Sequence, residues 1–419
     1  LYLISALEHD SSVTIEIING HNFNKKILPL PDAFNYLQEF IQNKSFPFTN
    51  YYHFGLSFQE IKQQIMQKQA DVYCISSLFT CYSKEVEIIC QIIRKVSPDS
   101  YIVTGGYHAT LHSRNILRKG LVDYIIKGEA ENALNQLIQM LKTFKINEAE
   151  IPGLVFKNGN QIIENNPIIS PIDSIAIPNR KVLKNRDFKM YKNRMVSMIT
   201  SRGCPNNCRF CTSKSFWGPY RTRSIDNILE EISYCYSTFD INVFNFEDDN
   251  IFPNKNSAKL LLNALIQHKK KTGMQCEFTA MNGISIEQLD EEIVSLMQKA
   301  GFKEINISLV THDKKIQQIE KRPFNSETFS KIITYAKQLS FNIRAYFILG
   351  LPGQSKEEIN ETIQFLINHN VLFFPSVYYN VNSPEQEWVM QRSSAFFNES
   401  EYLSRKDLIY LFGKCRTNV

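Results

Sequence analysis

The 419-residue sequence predicts an α/β protein: a Rossmann-like, doubly wound domain over residues 1–150, a hairpin and linker over 151–194, a partial (β/α)6 barrel of the TIM type over 195–381 and a short helical segment over 382–419. Three observations carry this reading. Short β-branched runs alternate with amphipathic ones in the first third, six strand-like runs alternate with helix-like ones in the second half, and prolines punctuate the interval between them. A chain this long has room for two or three hydrophobic cores.

In the first third, apolar alternation predicts a strand at Val13–Ile18. Amphipathic stretches follow at Ala33–Ile41 and Phe58–Met66, then a strand at Asp71–Ser77, a helix at Ser83–Val96 and strands at Tyr101–Thr104 and Asp123–Lys127. That order is a parallel sheet wound with helices, whose ligands bind at strand ends rich in glycine and small polar residues. Three ends qualify: Ser76-Ser77, Gly105-Gly106-Tyr107-His108 and Gly128-Glu129. Beyond residue 150, alternating residues around Asn158-Gly159 predict a type I′ hairpin, and Pro167, Pro171 and Pro178 mark an irregular crossing segment.

The second half repeats strand and helix. Strands are predicted at Met195–Thr200, Val243–Glu247, Gln275–Ala280, Glu304–Leu309, Asn342–Ile348 and Phe374–Val381, with helices near 225–238, 257–271, 286–300, 326–339 and 355–368. Repeated βα units imply parallel strands joined by right-handed crossovers, and catalytic groups of such barrels gather at the C-terminal ends of the strands. After the sixth strand comes Asn382-Ser-Pro-Glu-Gln-Glu-Trp388, and the remaining tail carries Phe396, Phe397, Tyr402, Leu408, Tyr410 and Phe412 in a pattern that predicts a covering helix pair.

Composition narrows the function classes. With 47 basic against 42 acidic residues the formal charge is only +5, so no nucleic-acid footprint is indicated. No run has the apolar length of a membrane span, and Glu8, His9 and Asp10 fall where a signal peptide would be apolar, which predicts a cytoplasmic protein and, we expect, a monomer. Nine cysteines in a chain this long do not make a secreted disulfide framework.

Three of the cysteines are clustered. In Ser201-Arg-Gly-Cys204-Pro-Asn-Asn-Cys208-Arg-Phe-Cys211 they follow the first barrel strand, so their thiolates share one loop at its end. Thiolates select zinc, copper(I) or iron–sulfur clusters, and three supply one ligand too few for a closed tetrahedral site. An open metal position implies chemistry; a structural zinc knuckle or three buried thiols is the alternative. After the second strand, Glu247-Asp248-Asp249 sets three carboxylates side by side, which an ammonium group would stabilise. After the fifth, Gly350-Leu-Pro352-Gly353 allows a close backbone approach.

The cysteine spacing, the aromatic before the last cysteine and the preceding Ser-Arg-Gly closely resemble the radical S-adenosylmethionine (SAM) family. Tyr101-Ile-Val-Thr-Gly-Gly-Tyr-His-Ala-Thr110 and Asp123-Tyr-Ile-Ile-Lys-Gly-Glu-Ala-Glu131 are similar to the cobalamin (B12)-binding domain that precedes many radical SAM barrels. The resemblance implies that Cys204, Cys208 and Cys211 hold a [4Fe–4S] cluster beside Phe210. It also implies that Glu247 and Asp248 meet the SAM amino group, and that Ile348, Gly350 and Pro352 pack its adenine. Ser308 would face the ribose, although many relatives place Gly-x-Glu-Ser there and this chain reads Asn306-Ile-Ser308-Leu. Ser76, Ser77, Gly105, Gly106, His108 and Glu129 would line the cobalamin site, with His108 as a wall because no Asp-x-His-x-x-Gly cobalt-ligating motif is present.

The implied activity is SAM cleavage to a 5′-deoxyadenosyl radical and cobalamin-dependent methylation of an unactivated carbon on a small-molecule or natural-product substrate, with flavodoxin or ferredoxin as electron donor. Cyclisation or rearrangement with the same cofactors, and a non-catalytic cobalamin or metal-binding module, remain alternatives. Cys74, Cys81 and Cys90 lack the spacing for the second cluster of a methylthiotransferase.

Overall fold

The computed structural model describes every residue except 22, 23, 144, 191, 418 and 419. The chain divides into two compact units. The first comprises Leu1–Ser170, Ile175–Asn179 and Tyr379–Phe397; the second comprises Pro171–Ser174, Arg180–Tyr378 and Asn398–Val419. No helix among the described residues is long and apolar enough to cross a membrane.

The first unit runs α1 (Tyr2–Leu7), β1 (Lys25–Leu28), α2 (Gln38–Gln42), β2 (Tyr51–Phe54), α3 (Phe58–Gln67), β3 (Val72–Ser76), α4 (Ser83–Val96) and β4 (Tyr101–Gly105). It continues through α5 (Tyr107–Leu111), α6 (Ser113–Arg118), β5 (Tyr124–Ile126), α7 (Glu131–Thr143), β6 (Leu154–Asn158) and β7 (Gln161–Glu164). The sheet is ordered β3-β4-β5-β6-β7, parallel through β5 and antiparallel thereafter. Helices cover both faces. Ile61, Cys90, Ile93 and Leu117 pack on one side with Ile102 and Ile125, while Leu7, Leu134 and Leu137 pack on the other with Val103 and Ile126. Local chemistry starts α3, where Ser57 accepts from the Glu60 amide and the Glu60 carboxylate accepts from Ser57 N at 2.8 Å.

Several expectations change here. Val13–Ile18 is not a strand: Val13 and Ile15 spend their apolar faces on the α1 and α7 side of the sheet. β1 and β2 form an antiparallel ribbon that the sequence reading did not include. Ala33–Ile41 is mostly a 3-10 segment, Asp32–Leu37, running into the short α2. The hairpin at 154–164, expected in the linker, adds two strands to the sheet through Ile125↔Val155 and turns at Gly159, φ +57°.

In the second unit, β8 (Lys189–Met190) pairs antiparallel with β9 (Asn193–Met198), and β10 (Ser201–Arg202) leads into the cysteine loop. Then come α8 (Ser213–Trp217), β11 (Arg221–Thr222), α9 (Ile225–Phe239), β12 (Val243–Phe246), α10 (Lys255–Thr272), β13 (Glu277–Thr279) and α11 (Glu291–Ala300). β14 (Glu304–Val310), α12 (Lys314–Glu320), α13 (Ser326–Gln338), β15 (Asn342–Leu349), α14 (Lys356–Asn368), β16 (Leu372–Val377) and α15 (Arg405–Thr417) complete it. β9-β12-β13 and β14-β15-β16 are parallel sets, joined through the parallel bridges Phe278↔Phe302 and Ile284↔Ile307. These six strands, in chain order, are the open barrel.

The barrel helices begin at polar caps that the sequence spells out. Ser224, Asn254, Asp290, Asp313, Asn325 and Ser355 each accept a backbone N–H from the third helical residue that follows. Outward-facing aromatics seal the strands beneath these helices, with Phe246 stacked on Phe278 at 5.6 Å. The tail is not a helix pair. Tyr379–Phe397 joins the first unit as two 3-10 turns anchored by Trp388, which is 3% exposed, and α15 joins the second.

Candidate active site

The first barrel strand ends in a tied loop. β10 pairs with β11 through Ser201↔Thr222 and Arg202↔Arg221, so the chain between them, which carries all three cysteines, is closed at its base. Gly203 permits the turn out of β10 at φ +80°. Cys211 N donates to Cys208 O at 3.2 Å, and Arg209 N donates to the Glu320 carbonyl at 3.0 Å, which fastens the loop to the end of α12. The three thiols are free, with Cys204 and Cys208 half-buried and Cys211 exposed. Burial raises the Cys208 thiol above its usual range, and the Arg322 guanidinium beside it works in the opposite direction. Among the described residues no three His, Cys, Asp or Glu side chains are gathered tightly enough for a single metal ion, these thiols included. An all-thiolate donor set on one accessible loop suits a multi-iron cluster, whose ligands stand further apart than those of a mononuclear site.

The three carboxylates after β12 separate into different tasks. Asp248 is 2% exposed and accepts from Thr200 N at 3.0 Å, Thr200 Oγ1 at 2.8 Å and the Ser201 hydroxyl, so it pins the root of the cysteine loop. Asp249 accepts from Ser213 Oγ at 2.6 Å at the start of α8. Glu247 is half-buried, accepts from Ser197 Oγ at 3.2 Å and from the Asn245 amide, and keeps access to the barrel interior. Of the two acids expected to meet an amino group, Glu247 is the one whose carboxylate is presented. Asp248 lies behind the strand because three donors from β10 and its approach satisfy it there.

Burial lifts the Asp248 carboxyl to about 6, against a usual value of 3.8, in spite of those donors. A raised folded value contributes stability that is present below about pH 3.8 and lost as pH rises through about 6. Asp248→Asn is therefore expected to flatten the dependence of thermal stability on pH across that window, by about 3 kcal/mol at most. Melting curves from pH 4 to 7 that keep the wild-type slope would count against this assignment.

An apolar patch forms across three strand ends. Phe210, next to the last cysteine, packs with Ile348, Leu351, Val310, Ile316 and Tyr378 in one cluster. Gly350 turns at φ +85°, and a Cβ there would sit 3.2 Å from Leu408 of α15. Gln354 closes the turn by donating to Ile348 O at 3.1 Å and accepting from Leu351 N at 2.9 Å, with Pro352 exposed at its outer edge. Phe210 and Ile348 thus pack on one cluster with Leu351, which was not singled out from the sequence, and Gly350 lies in the turn between Ile348 and Leu351. Ser308, half-buried on β14, has its carbonyl bound by Arg322 Nη2 at 2.9 Å.

In the first unit, Ser76 lies opposite Gly105 in the ladder, and Ser77 N donates to Gly105 O at 2.8 Å. The Ser77 and Thr104 hydroxyls are buried without a hydrogen-bond partner. A Cβ on Gly106, at φ +107°, would fall 2.8 Å from Ser77 O, so only glycine fits between these strand ends. Orphan hydroxyls around a glycine turn at the sheet's C-terminal edge fit a bound polar cofactor. His108 turns elsewhere: its Nδ1 is 3.2 Å from Thr80 Oγ1, and its ring meets Trp388 edge-on at 4.8 Å. Burial pushes its pKa down to about 3. The ring is thereby held neutral. Glu129 lies beyond β5, in a cleft with the first turn of α7.

Comparison with known proteins agrees with this layout. Residues 198–366 match the family model of the radical SAM superfamily, and residues 31–138 match that of the B12 binding domain. The chain is 26% identical over 345 residues to cytidylyl-2-hydroxyethylphosphonate methyltransferase of Streptomyces wedmorensis, covering 74% of this chain and 63% of that protein. It is also 26% identical over 322 residues to the anaerobic magnesium-protoporphyrin IX monomethyl ester cyclase of Cereibacter sphaeroides, covering 73% and 51%. The chain therefore spans about half to two thirds of the length of these curated relatives. Among solved structures, the radical SAM methyltransferase TsrM from Kitasatospora setae superposes with a TM-score of 0.66 at 14% identity, covering 84% of this chain and 70% of that one. The cobalamin-dependent SAM radical enzyme OxsB superposes with a TM-score of 0.62 at 17% identity, covering 80% and 48%. A radical SAM domain takes a [4Fe–4S] cluster and SAM as cofactors and a B12-binding domain takes cobalamin; with both domains present in this order, the chain belongs to the radical SAM enzymes that carry an N-terminal cobalamin-binding domain.

Proposed function

We propose that the protein is a cobalamin-dependent radical SAM methyltransferase acting on an unactivated carbon of a small molecule. The observation that supports it most is the convergence of the cysteine loop, Glu247 and the Phe210–Ile348–Leu351 patch at the C-terminal ends of the barrel strands. When bound, the cluster with SAM supplies a 5′-deoxyadenosyl radical and cobalamin supplies the methyl group. The protein's own residues bind and orient. Cys204, Cys208 and Cys211 would hold the cluster, with the loop kept in place by Asp248 and by the Arg209–Glu320 backbone bond. Glu247 presents its carboxylate to an ammonium group, while Phe210, Ile348 and Leu351 offer an apolar wall that excludes water from a planar base. The strand-end loops at Ser77, Thr104 and Gly106 would cradle cobalamin. Both the open thiols and the need for a reductant suit a cytoplasmic protein, here taken as a monomer served by flavodoxin or ferredoxin.

The test is product analysis. Purified anaerobically, reconstituted with cluster and cobalamin and supplied with a low-potential one-electron reductant, the enzyme is expected to form 5′-deoxyadenosine and S-adenosylhomocysteine together from SAM and its substrate. Formation of neither, with all cofactors and substrate in place, would sink the proposal. The likeness to the magnesium-protoporphyrin IX monomethyl ester cyclase keeps a second reading in view, cyclisation or rearrangement without methyl transfer. It would give 5′-deoxyadenosine with no S-adenosylhomocysteine.

A further inference from the structure

The inner face of the last three barrel strands is not a packed core. Along β15, Ile343, Ala345, Phe347 and Leu349 are buried on the outer face, whereas Arg344, Tyr346 and Ile348 on the other remain half-exposed. An ordinary βα barrel fills this space with layers of branched apolar residues. Here the layers are polar and aromatic. Register sets Ser308 opposite Tyr346 and Tyr346 opposite Phe374, and the Tyr346 and Phe374 rings stack at 5.6 Å. One layer lower, Asn306 lies opposite Arg344.

The ion pair in that lower layer is lopsided. Glu304 is spent: one oxygen accepts from Thr279 Oγ1 at 2.6 Å and from Asn306 Nδ2 at 3.0 Å, and the other pairs with Arg344. Burial would raise its pKa, but these donors and the Arg344 charge outweigh it and keep the acid ionised. The Glu304 side chain is 16% exposed, against 33% for Arg344. Arg344 engages Glu304 through Nη1 alone, so the rest of its planar fork is held in a fixed direction beside two stacked rings, with donors to spare. Arg344 lies four residues before Ile348 of the adenine patch, roughly 13 Å along the strand, and the Tyr346–Phe374 layer lies midway between them.

We propose that the lumen between Arg344 and the Tyr346–Phe374 layer is the substrate subsite and takes a planar body carrying an oxyanion, either carboxylate or phosphoryl. The Tyr346–Phe374 pair receives the planar part; the free side of Arg344, with the Tyr346 phenol, donates to the oxyanion. This rests on the enzyme reading above for its meaning, but the binding itself can be measured without turnover.

The experiment uses the full chain with its cluster reconstituted and SAM saturating, so that SAM's own carboxylate occupies its own site. Ligand-observed NMR follows benzoate and phenylphosphonate, with benzamide as the uncharged match and acetate as the match without a ring. At least one of the two acids is expected to bind tenfold or more tighter than benzamide and acetate. The charge-conserving pair Glu304→Gln with Arg344→Gln should abolish that preference, whereas Glu304→Gln alone should keep or strengthen it, since the fork remains and its counter-charge is gone. Wild-type protein that binds neither acid, benzamide bound as tightly as the acids, or a preference that survives in the double variant overturns the proposal. 5′-Deoxyadenosine formation, measured on the same preparations, reports separately on the radical reading.

Discussion

Replacing Cys204, Cys208 or Cys211 singly by alanine is expected to abolish the brown iron–sulfur chromophore and to reduce 5′-deoxyadenosine formation to background. Each thiol sits on one short loop whose ends are fixed by β10, β11 and the Arg209–Glu320 bond, so no neighbouring cysteine can reach in as a substitute. Cys235 and Cys415 are buried on α9 and α15 of the second unit, Cys276 is buried just before β13, and Cys90 is buried in the first unit. Cys235→Ala serves as the matched control: it should lose only the packing of a small buried residue and keep colour and SAM cleavage. Iron and sulfide analysis with product quantification on the four proteins decides the matter, and full SAM cleavage in any of the three loop variants would refute the role assigned to that thiol.

A loss of stability about as decisive is expected at Glu231, a position that touches no cofactor. Its carboxylate is fully buried on α9 between Arg180 at 2.6 Å and Arg223 at 2.5 Å, both also buried. The same two guanidiniums donate to the Ser197 and Ile199 carbonyls, at 3.0 and 2.7 Å, so the triad ties the connector, α9 and β11 to the strand that leads into the cysteine loop. Glu231→Ala would leave two buried cations uncompensated, at a cost of about 3–5 kcal/mol, a large share of a total stability of about 5–15 kcal/mol. Chemical denaturation should show this fall, and iron content after reconstitution should drop with it. A change below about 1 kcal/mol, the worth of an exposed pair, would mean that the triad does not hold the strand. Exchanging all three residues for apolar ones of similar volume should recover much of the loss, because a buried ion pair contributes little over a well-packed apolar replacement.

Much of the barrel was legible in the sequence because its signals are local. The six strands fall within a few residues of the apolar runs that predicted them, and the polar caps at Ser224, Asn254, Asn325 and Ser355 start helices where periodicity placed them, while the helix expected from 286 begins only after its cap at Asp290. The first unit was harder to read. Val13–Ile18 has a strand's alternation but uses it against helices, and the 154–164 hairpin looked like a connector because nothing in its own residues names Ile125 as its neighbour. The tail misled for a similar reason. Nothing in the Asn382–Trp388 segment itself shows that the Trp388 ring packs against His108 edge-on and His112 at a tilt.

By itself the sequence determined the order of the two domains, the cysteine loop after the first barrel strand and the candidate strand ends, since each depends on residue type and spacing along the chain. Only the tertiary structure decided which groups are available for chemistry. It turned Asp248 inward to Thr200 and Ser201 and left Glu247 presented, joined Phe210 to Ile348 and Leu351, and offered one side of the Glu304–Arg344 pair to the lumen. Availability depends on which donors arrive from elements far away in sequence, and periodicity along one strand does not record it. The thiols of Cys204, Cys208 and Cys211 follow from local spacing, whereas the surfaces that choose a substrate for them arise from long-range packing.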